Sequence, residues 1–362
     1  MLGALTLIGP WLQVKPNRIV EGTSRSLAFD DGFWGAVCLG LWALPLLVSV
    51  FSKNPRTPAR AAWAIFVMVP VVVLLGSGAV ASALVPDGSF VRVSPSWSFW
   101  ITILGCYAGA LVLGPLTELP RSWLTLGKAV FPAACLVGLA TGAFAQLSLL
   151  KEFVAQSDVF WDAARIHLIL SGVAVLAGTL LGTLTGWGAH RLVQFRRPAF
   201  FFLNLVQTLP SLALFGLLIV PLAALGLGGI GPTPALVALA LYAAFPIARS
   251  TLTAFDHLDA AVLDAGRGLG MGRAHLFFRV QFPLALPVVL EGVRTASVQA
   301  VGNTVVAALI GAGGLGSLVF LGLGQYAPDL ILLGTLPVVV LALAVDLGWV
   351  IVLGLLNRRV RT

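Results

Sequence analysis

A helix crosses the hydrocarbon core of a bilayer with about 20 predominantly apolar residues. This chain supplies such runs at about Phe33–Phe51, Ala61–Val85, Trp97–Thr117, Lys128–Leu147, Ala164–Ala189, Ala199–Leu225, Ala235–Phe255, Pro287–Ile310 and Asp329–Leu356. Met1–Val14 is apolar but too short to span, and it lacks the basic start and small-residue cleavage site of a secretory signal. It reads as a truncated first span or an interfacial segment. Composition agrees, with 59% hydrophobic and 10% charged residues against roughly 25% charged in soluble domains. The expected fold class is therefore all-α, a polytopic membrane protein of nine or ten transmembrane helices. A polar linker at Lys151–Asp162 divides it into an accessory bundle of four or five helices, 1–150, and a five-helix region, 151–362.

The net charge of +8 would suggest nucleic acid on a soluble protein. Here the cations gather in short loops on one side of the spans, which is the signature of membrane orientation. Placing 256–287 in the cytoplasm puts 52–60, 118–128, 190–198 and the C-terminus there too. Those segments carry most of the 22 Lys and Arg. Lys15, Arg18, Arg25, Arg92 and Lys151 fall in the opposite loops.

Between two of the apolar runs lies a mixed, basic stretch, Asp256–Pro287. Residues of this kind between spans have to contact something outside the bilayer. Leu258–Gly266 can form a short helix, the series Gly266, Gly268, Gly270 and Gly272 can turn the chain, and His275–Val280 can resume it. Pro283 and Pro287 would then open the next span. The spacing Asp264-Ala265-Gly266, three residues, Gly270, nine residues, Val280-Gln281-Phe282-Pro283 resembles the E-A-A, G, I-x-L-P coupling loop of permease subunits in ATP-binding-cassette importers. Every interval matches, while Asp264 replaces Glu, Gly266 replaces the second Ala, and Val280 and Phe282 replace Ile and Leu. A glycine costs about 1 kcal/mol against alanine inside a helix, so a slightly loosened coupling helix is expected. The resemblance implies Asp264, Ala265, Gly266, Arg267, Gly270, Val280 and Pro283 as residues coupling to an ATPase. Ala265 and Gly266 would form the close-packing face, Gly270 the turn, and Pro283 the end of the handle.

Polar residues also recur at helical spacing inside apolar runs. Asn204, Gln207, Thr208 and Ser211 share one face at i, i+3, i+4 and i+7; Glu291, Thr295, Gln299 and Asn303 form a stripe of fours. Polar groups in a bilayer turn to a protein interior or an aqueous path. Asn204, Gln207, Thr208, Ser211, Gln299 and Asn303 are therefore candidates to line a translocation route, with interhelical hydrogen bonding as the alternative. Asp346, deep in the last span, would be satisfied by Asn303 or by protonation, and Glu291 would pair with Arg294. Gly178, Gly182 and Gly186 read as a close helix-packing seam.

Other features exclude functions. Gly311-Ala312-Gly313-Gly314-Leu315-Gly316 contains G-x-G-x-x-G, but without a βαβ context it is a turn before Leu318–Leu323, not a nucleotide site. No phosphate-loop motif occurs, Gly127-Lys128 being followed by Ala129. Cys38, Cys106 and Cys135 lie in apolar runs and read as small hydrophobes. His167 and His190 stand at opposite ends of one span, and no metal site or catalytic constellation is expected.

From about His167 onward the chain resembles permeases of osmoprotectant importers (glycine betaine, choline, carnitine, proline betaine). The segments that carry this are Gln207–Leu214, Phe245–Thr251, Ala308–Gly316 and Leu341–Asp346, with Ser250 where that family usually has Asn. The resemblance implies a type 1 importer core in the cell (inner) membrane and two permease copies in a homodimer or close heterodimer. It also implies separate ATPase subunits that hydrolyse ATP and an extracytoplasmic substrate-binding protein; this chain itself would bind no cofactor. Trp187, Tyr242 and Phe245 are the aromatics to consider for a cationic substrate. An ion-coupled secondary transporter using Asp346, or an importer of amino-acid type, are the alternative readings.

Overall fold

The structure, a computed structural model, describes residues 1–17, 20–54, 56–86 and 88–361, with side chains through Leu356. Two compact units divide the chain, Met1–Ala155 and Gln156–Thr362. Among the described residues eight helices are long and apolar enough to cross a membrane, and one sharply bent helix pair makes a ninth candidate.

The first unit contains α1 (Leu2–Ile8), β1 (Pro10–Lys15), β2 (Thr23–Ser26), α2 (Gly32–Phe51), α3 (Arg56–Leu84), β3 (Arg92–Pro95), α4 (Trp97–Leu113), α5 (Arg121–Ala140) and α6 (Ser148–Ala155). Met1–Val14 is not a span: it divides into the short helix α1 and the strand β1. Gly9 is extended ahead of Pro10, as a residue before proline prefers, so α1 stops there. The chain then becomes the centre of a small antiparallel sheet of order β2-β1-β3. Strand pairing satisfies the backbone of β1, and its Trp11 and Leu12 are fully buried in the unit's core with Val69, Val73, Phe99 and Cys106. Asp31 accepts from the Trp11 indole at 3.2 Å.

α5 begins and ends seven residues earlier than hydropathy alone suggests. Glu118 is left-handed (φ 51°) and Pro120 precedes the first helical residue, which sets the start. At the other end Gly142 (φ 73°) bonds to Leu139 O and Ala143 to Gly138 O, a closing pair that satisfies the last carbonyls. The Lys151–Asp162 stretch is not an irregular linker. It contains no Gly or Pro to interrupt it, and it forms the end of α6 and the first turn of the next helix.

The second unit holds α7 (Ser157–Arg191), α8 (Val193–Thr208), α9 (Ser211–Ala224), α10 (Pro232–Asp256), α11 (Ala260–Gly268), α12 (Arg273–Leu276), α13 (Phe282–Ala307), α14 (Gly316–Gly324) and α15 (Pro328–Arg361). Its axis is the α7–α10 pair. A Cβ on Gly178 would lie 2.9 Å from Ala240 O, on Gly182 2.6 Å from Ala244 O, and on Gly186 2.4 Å from Ala248 O. The repeated glycine therefore lets α7 touch the backbone of α10 over two turns, as small residues do in lipid. Gly311, Gly313 and Gly314 all have φ near 80°, so the glycine-rich hexad is a turn. Gly316 then seats α14, its would-be Cβ only 1.9 Å from Val305 O.

The expected continuous span Ala199–Leu225 is broken. Pro210 ends α8, and α9 leaves at 113° to it. Asn204, Gln207 and Thr208 remain on α8, but Ser211 begins α9, so the four-residue face of an unbroken helix does not exist.

Replacing Gly182 by alanine should lower the melting temperature of the detergent-purified protein, at a cost of about 1–3 kcal/mol for overpacking. Gly172→Ala, on the same helix with open space around it, should be tolerated. Intrinsic tryptophan fluorescence on heating distinguishes the two; equal stability would dismiss the seam as a packing constraint.

Candidate functional site

The basic stretch after α10 folds as a capped helical hairpin. Asp259 starts α11, its carboxylate accepting Ala261 N–H at 2.9 Å, one of the orphan donors of a helix start. At the far end Gly270 N–H bonds to Arg267 O at 2.9 Å and Met271 N–H to Gly266 O at 3.2 Å, with Gly270 at φ 78°. This closing motif requires a left-handed residue. A Gly270 Cβ would meet nothing within 4 Å, so the backbone conformation demands glycine and no neighbour does. An L-residue there costs about 1–2 kcal/mol.

Gly266 is buried, and its would-be Cβ lies 2.6 Å from Leu276 Cδ1. The glycine lets α11 close onto α12, so contact with Leu276 replaces the loosening expected from helix propensity. Ala265 does not share that face: it is exposed, because adjacent helical residues point about 100° apart. Asp264 and Arg267 form a 2.8 Å pair on the exposed side, and Leu269 (78% exposed) and Phe278 (68%) are also presented outward.

Pro283 stands in the first turn of α13, but it makes no break. The chain runs helically from Arg273 to Ile310, accommodating the proline with a π-turn at Phe277–Gln281. Proline has no N–H to give to an i−4 carbonyl, and Phe282 N–H reaches back instead to Phe277 O. Val280 sits half-buried in that turn. Hairpin and α13 are thus one rod with a π-bulge.

The root of the hairpin is aromatic. Phe277 stacks on Phe255 of α10 with centroids 6.0 Å apart and planes 4° from parallel, and meets Trp187 of α7 edgewise at 6.3 Å. Asp256 binds His190 Nδ1 at 2.7 Å and Arg196 at 3.1 Å, joining α7, α8 and α10 at the same end. Trp187 also carries the Arg191 guanidinium 5.5 Å from its ring centre. It is a packing element under the hairpin, so its reading as a contact for a cationic substrate falls. Nothing in local spacing singles out Phe255 or Asp256, and the aromatic pair Phe277-Phe278 directly after the hairpin is the one local sign of this root.

Within the bundle the polar stripes meet at proline-broken helices. Pro246 leaves Tyr242 O without its i+4 donor, and Gln207 Nε2 donates to that carbonyl at 2.7 Å. Tyr242 Oη donates to Leu209 O at the α8–α9 break, at 2.6 Å. Gln299 Nε2 donates to Gln207 Oε1 at 3.3 Å, which extends the chain of bonds to α13. Asn204 and Thr208 are exposed, and Thr208 Oγ1 returns to its own helix at Leu205 O. Asn303 is half-buried on α13. Deeper in the bundle, buried His167 Nε2 donates to Val301 O at 3.0 Å.

Asp346 is neither paired with Asn303 nor dependent on protonation. Arg294 of α13 grips it from two nitrogens, Nε to Oδ1 at 2.7 Å and Nη2 to Oδ2 at 3.1 Å. Glu291, the expected partner of Arg294, is secondary at 3.4 Å. The planar guanidinium matches a carboxylate two bonds at a time, and this geometry outcompetes the i,i+3 neighbour. α13 and α15 are so fastened by charge as well as by Trp349 Nε1, which donates to Ser297 Oγ at 3.2 Å.

Comparison with known proteins places this geometry. Residues 178–362 match the family described as "Binding-protein-dependent transport system inner membrane component". The chain belongs to that family. Residues 1–150 match "ABC transporter permease YehY, N-terminal domain". Over 180 residues the permease is 37% identical to the "Glycine betaine/carnitine/choline transport system permease protein OpuCB" of Bacillus subtilis (strain 168), covering 50% of this chain and 80% of that one. It is 40% identical over 180 residues to the "Osmoprotectant import permease protein OsmW" of Salmonella typhimurium, covering 50% and 83%. Among solved structures, a chain of the MetNI methionine ABC transporter in inward-facing conformations aligns with TM-score 0.52 at 19% identity, covering 56% of this permease and 98% of that chain. The likeness shows a shared fold. The protein is thus a multi-pass permease subunit of the importer class.

Arg294→Gln leaves Asp346 without its counter-ion, so the melting temperature in detergent should drop. The double variant R294Q/D346N should recover most of the loss, since removing both charges costs less than stranding one. A double variant no more stable than R294Q would show that the pair is incidental.

Proposed function

We propose that this permease imports a small quaternary-ammonium compatible solute, of the glycine betaine, choline or carnitine kind. Its power would come from ATP hydrolysed on separate subunits docked against the Ala260–Leu276 hairpin. What supports the mechanism is the hairpin itself. It is capped at both ends, closed by Gly266 on Leu276, rooted on Phe255, and continuous with α13. A force applied to Asp264, Arg267 or Leu269 on its outer side would reach α13 through the Gly266–Leu276 contact and the continuous helical path from Arg273. Substrate class rests on the functions named for the relatives from Bacillus subtilis and Salmonella typhimurium.

On this reading the hairpin and the C-terminus face the cytoplasm, in keeping with the distribution of Lys and Arg. A second permease copy completes the path, and an extracytoplasmic binding protein delivers the solute. Gln207, Gln299 and Tyr242, with Asn204, Thr208, Ser211 and Asn303 nearby in sequence, are the groups that would line the route. Rocking of a bundle between two packings under an external motor is an established mode of switching. The ion-coupled alternative would need Asp346 as a titrating carboxylate, and its two-bond engagement by Arg294 speaks against that role.

In a strain lacking its own betaine and choline uptake, this chain with its companion ATPase and binding protein should restore accumulation of radiolabelled glycine betaine at high osmolarity. Gly270→Val and Asp264→Lys should each abolish uptake and substrate-stimulated ATPase activity while the protein still inserts in the membrane. Gly268→Ala, where space is open, should transport normally. Uptake by the chain alone in liposomes under an ion gradient, without ATP, would overturn the proposal.

A further inference from the structure

The first unit holds a feature to which the proposed import cycle assigns no role. Between α3, α4 and α5 lies an open cavity of about 190 Å³, walled by Trp63, Phe66, Tyr107, Ala110 and Phe131, with Lys128 among its lining residues. An apolar cavity of about 150 Å³ already holds a benzene ring, so this one accommodates a short length of hydrocarbon chain. It is built from close approaches. A Cβ on Gly109 would sit 2.7 Å from the Phe66 ring, and one on Gly127 2.5 Å from the Trp63 ring.

The charge around it is one-sided. Lys128 lies about 10 Å along α5 from Arg121, at 1.5 Å per residue, inside a helix apolar enough to cross a membrane. It is exposed, and no carboxylate pairs with it among the described residues. The neighbouring carboxylate, Glu118, is taken by Arg56 at 2.9 Å, and Arg60 is spent on Thr117 O at 3.0 Å. A cation at membrane depth calls for an anion or an aqueous outlet, and a lysine stem can carry its ammonium toward the headgroup level. An apolar slot with an uncompensated ammonium at its edge is complementary to an amphiphile with an anionic head.

We propose that this cavity binds one anionic phospholipid, with an acyl segment between Trp63, Phe66 and Phe131 and the phosphate on Lys128 and Arg121. The site lies wholly within residues 63–131 and is independent of the substrate of the second unit. The aromatic walls alone would suit a quaternary ammonium head, but Lys128 repels one and selects the opposite charge.

Native mass spectrometry of the full chain, released from detergent in the presence of phosphatidylglycerol or phosphatidylcholine with identical acyl chains, tests this. One phosphatidylglycerol per chain should be retained in preference to phosphatidylcholine. Lys128→Glu should reduce its retention about tenfold, the scale of one charge-assisted contact. Ala110→Phe, which fills the cavity, should do the same, while Lys128→Arg should keep the preference and report that the fold survives. Equal retention of the two lipids would overturn the proposal. So would displacement by inorganic phosphate, which marks a plain anion site, or a preference that survives Ala110→Phe, which marks a headgroup contact without an occupied cavity.

Discussion

Inside a bilayer no water is available for an unpaired N–H or C=O, and each orphan costs several kcal/mol. Among the described residues eight helices carry an internal proline, Pro45, Pro70, Pro132, Pro198, Pro221, Pro246, Pro287 and Pro337, and each removes a rung from a ladder that lipid cannot repair. The polar residues of the second unit answer that need. Gln207 serves the carbonyl that Pro246 abandons, and Tyr242 serves the one exposed where α8 ends. A helix that bends by 113° in the membrane is tenable because its free carbonyl meets a phenol from the neighbouring helix. The same bonds tie α8, α10 and α13 into one network, so the groups that permit the bend also sense it. A change in the angle between α8 and α9 must break or re-form the Tyr242–Leu209 bond.

Against this adjustable side stands a rigid one. The glycine seam of α7 on α10 brings backbone to backbone, and such an interface has little room to slide because every Cβ-sized increment meets a carbonyl. At the hairpin end that rigid pair is continued by the Phe255–Phe277 stack and the Asp256 bonds to His190 and Arg196. The hairpin is therefore seated on the stiff half of the bundle. Its outer side, carrying Asp264, Arg267 and Leu269, is left for a partner in the proposed cycle.

The parts of this arrangement that sequence could reveal are those set by local chemistry. Most span locations followed from apolar length, α5 and the broken α8–α9 pair excepted. The turn at Gly270 followed from glycine spacing, and the seam followed from the fourfold repeat at Gly178, Gly182 and Gly186. What failed were inferences that treated a helix as isolated. Ser211 was assigned to the face of Gln207 because hydropathy runs unbroken through Pro210, and nothing local announces that Tyr242 will support a bend there. Local spacing shows Arg294 beside Glu291, a pair that forms at 3.4 Å, but not its stronger partner Asp346, fifty-two residues on, which only folding brings to it. Met1–Val14 was measured against a membrane span, when its partners are two other short strands. Pro283 does open α13, but the sequence carries no mark of the π-turn that keeps the helix continuous into it.

That π-turn has a mechanical consequence. A regular helix meeting Pro283 would kink or stop, and a kink between the hairpin and α13 would let one move without the other. By reaching from Phe282 N–H back to Phe277 O, the chain inserts one extra residue into the turn and keeps its helical path through the proline. In the proposed cycle, motion of α12 would be carried along α13 to Gln299 and to Arg294. The first contact belongs to the network that supports the α8 bend, and the second holds α15. One rod thus touches both the adjustable network and α15, and in the proposed cycle a displacement of its end at the hairpin would load both.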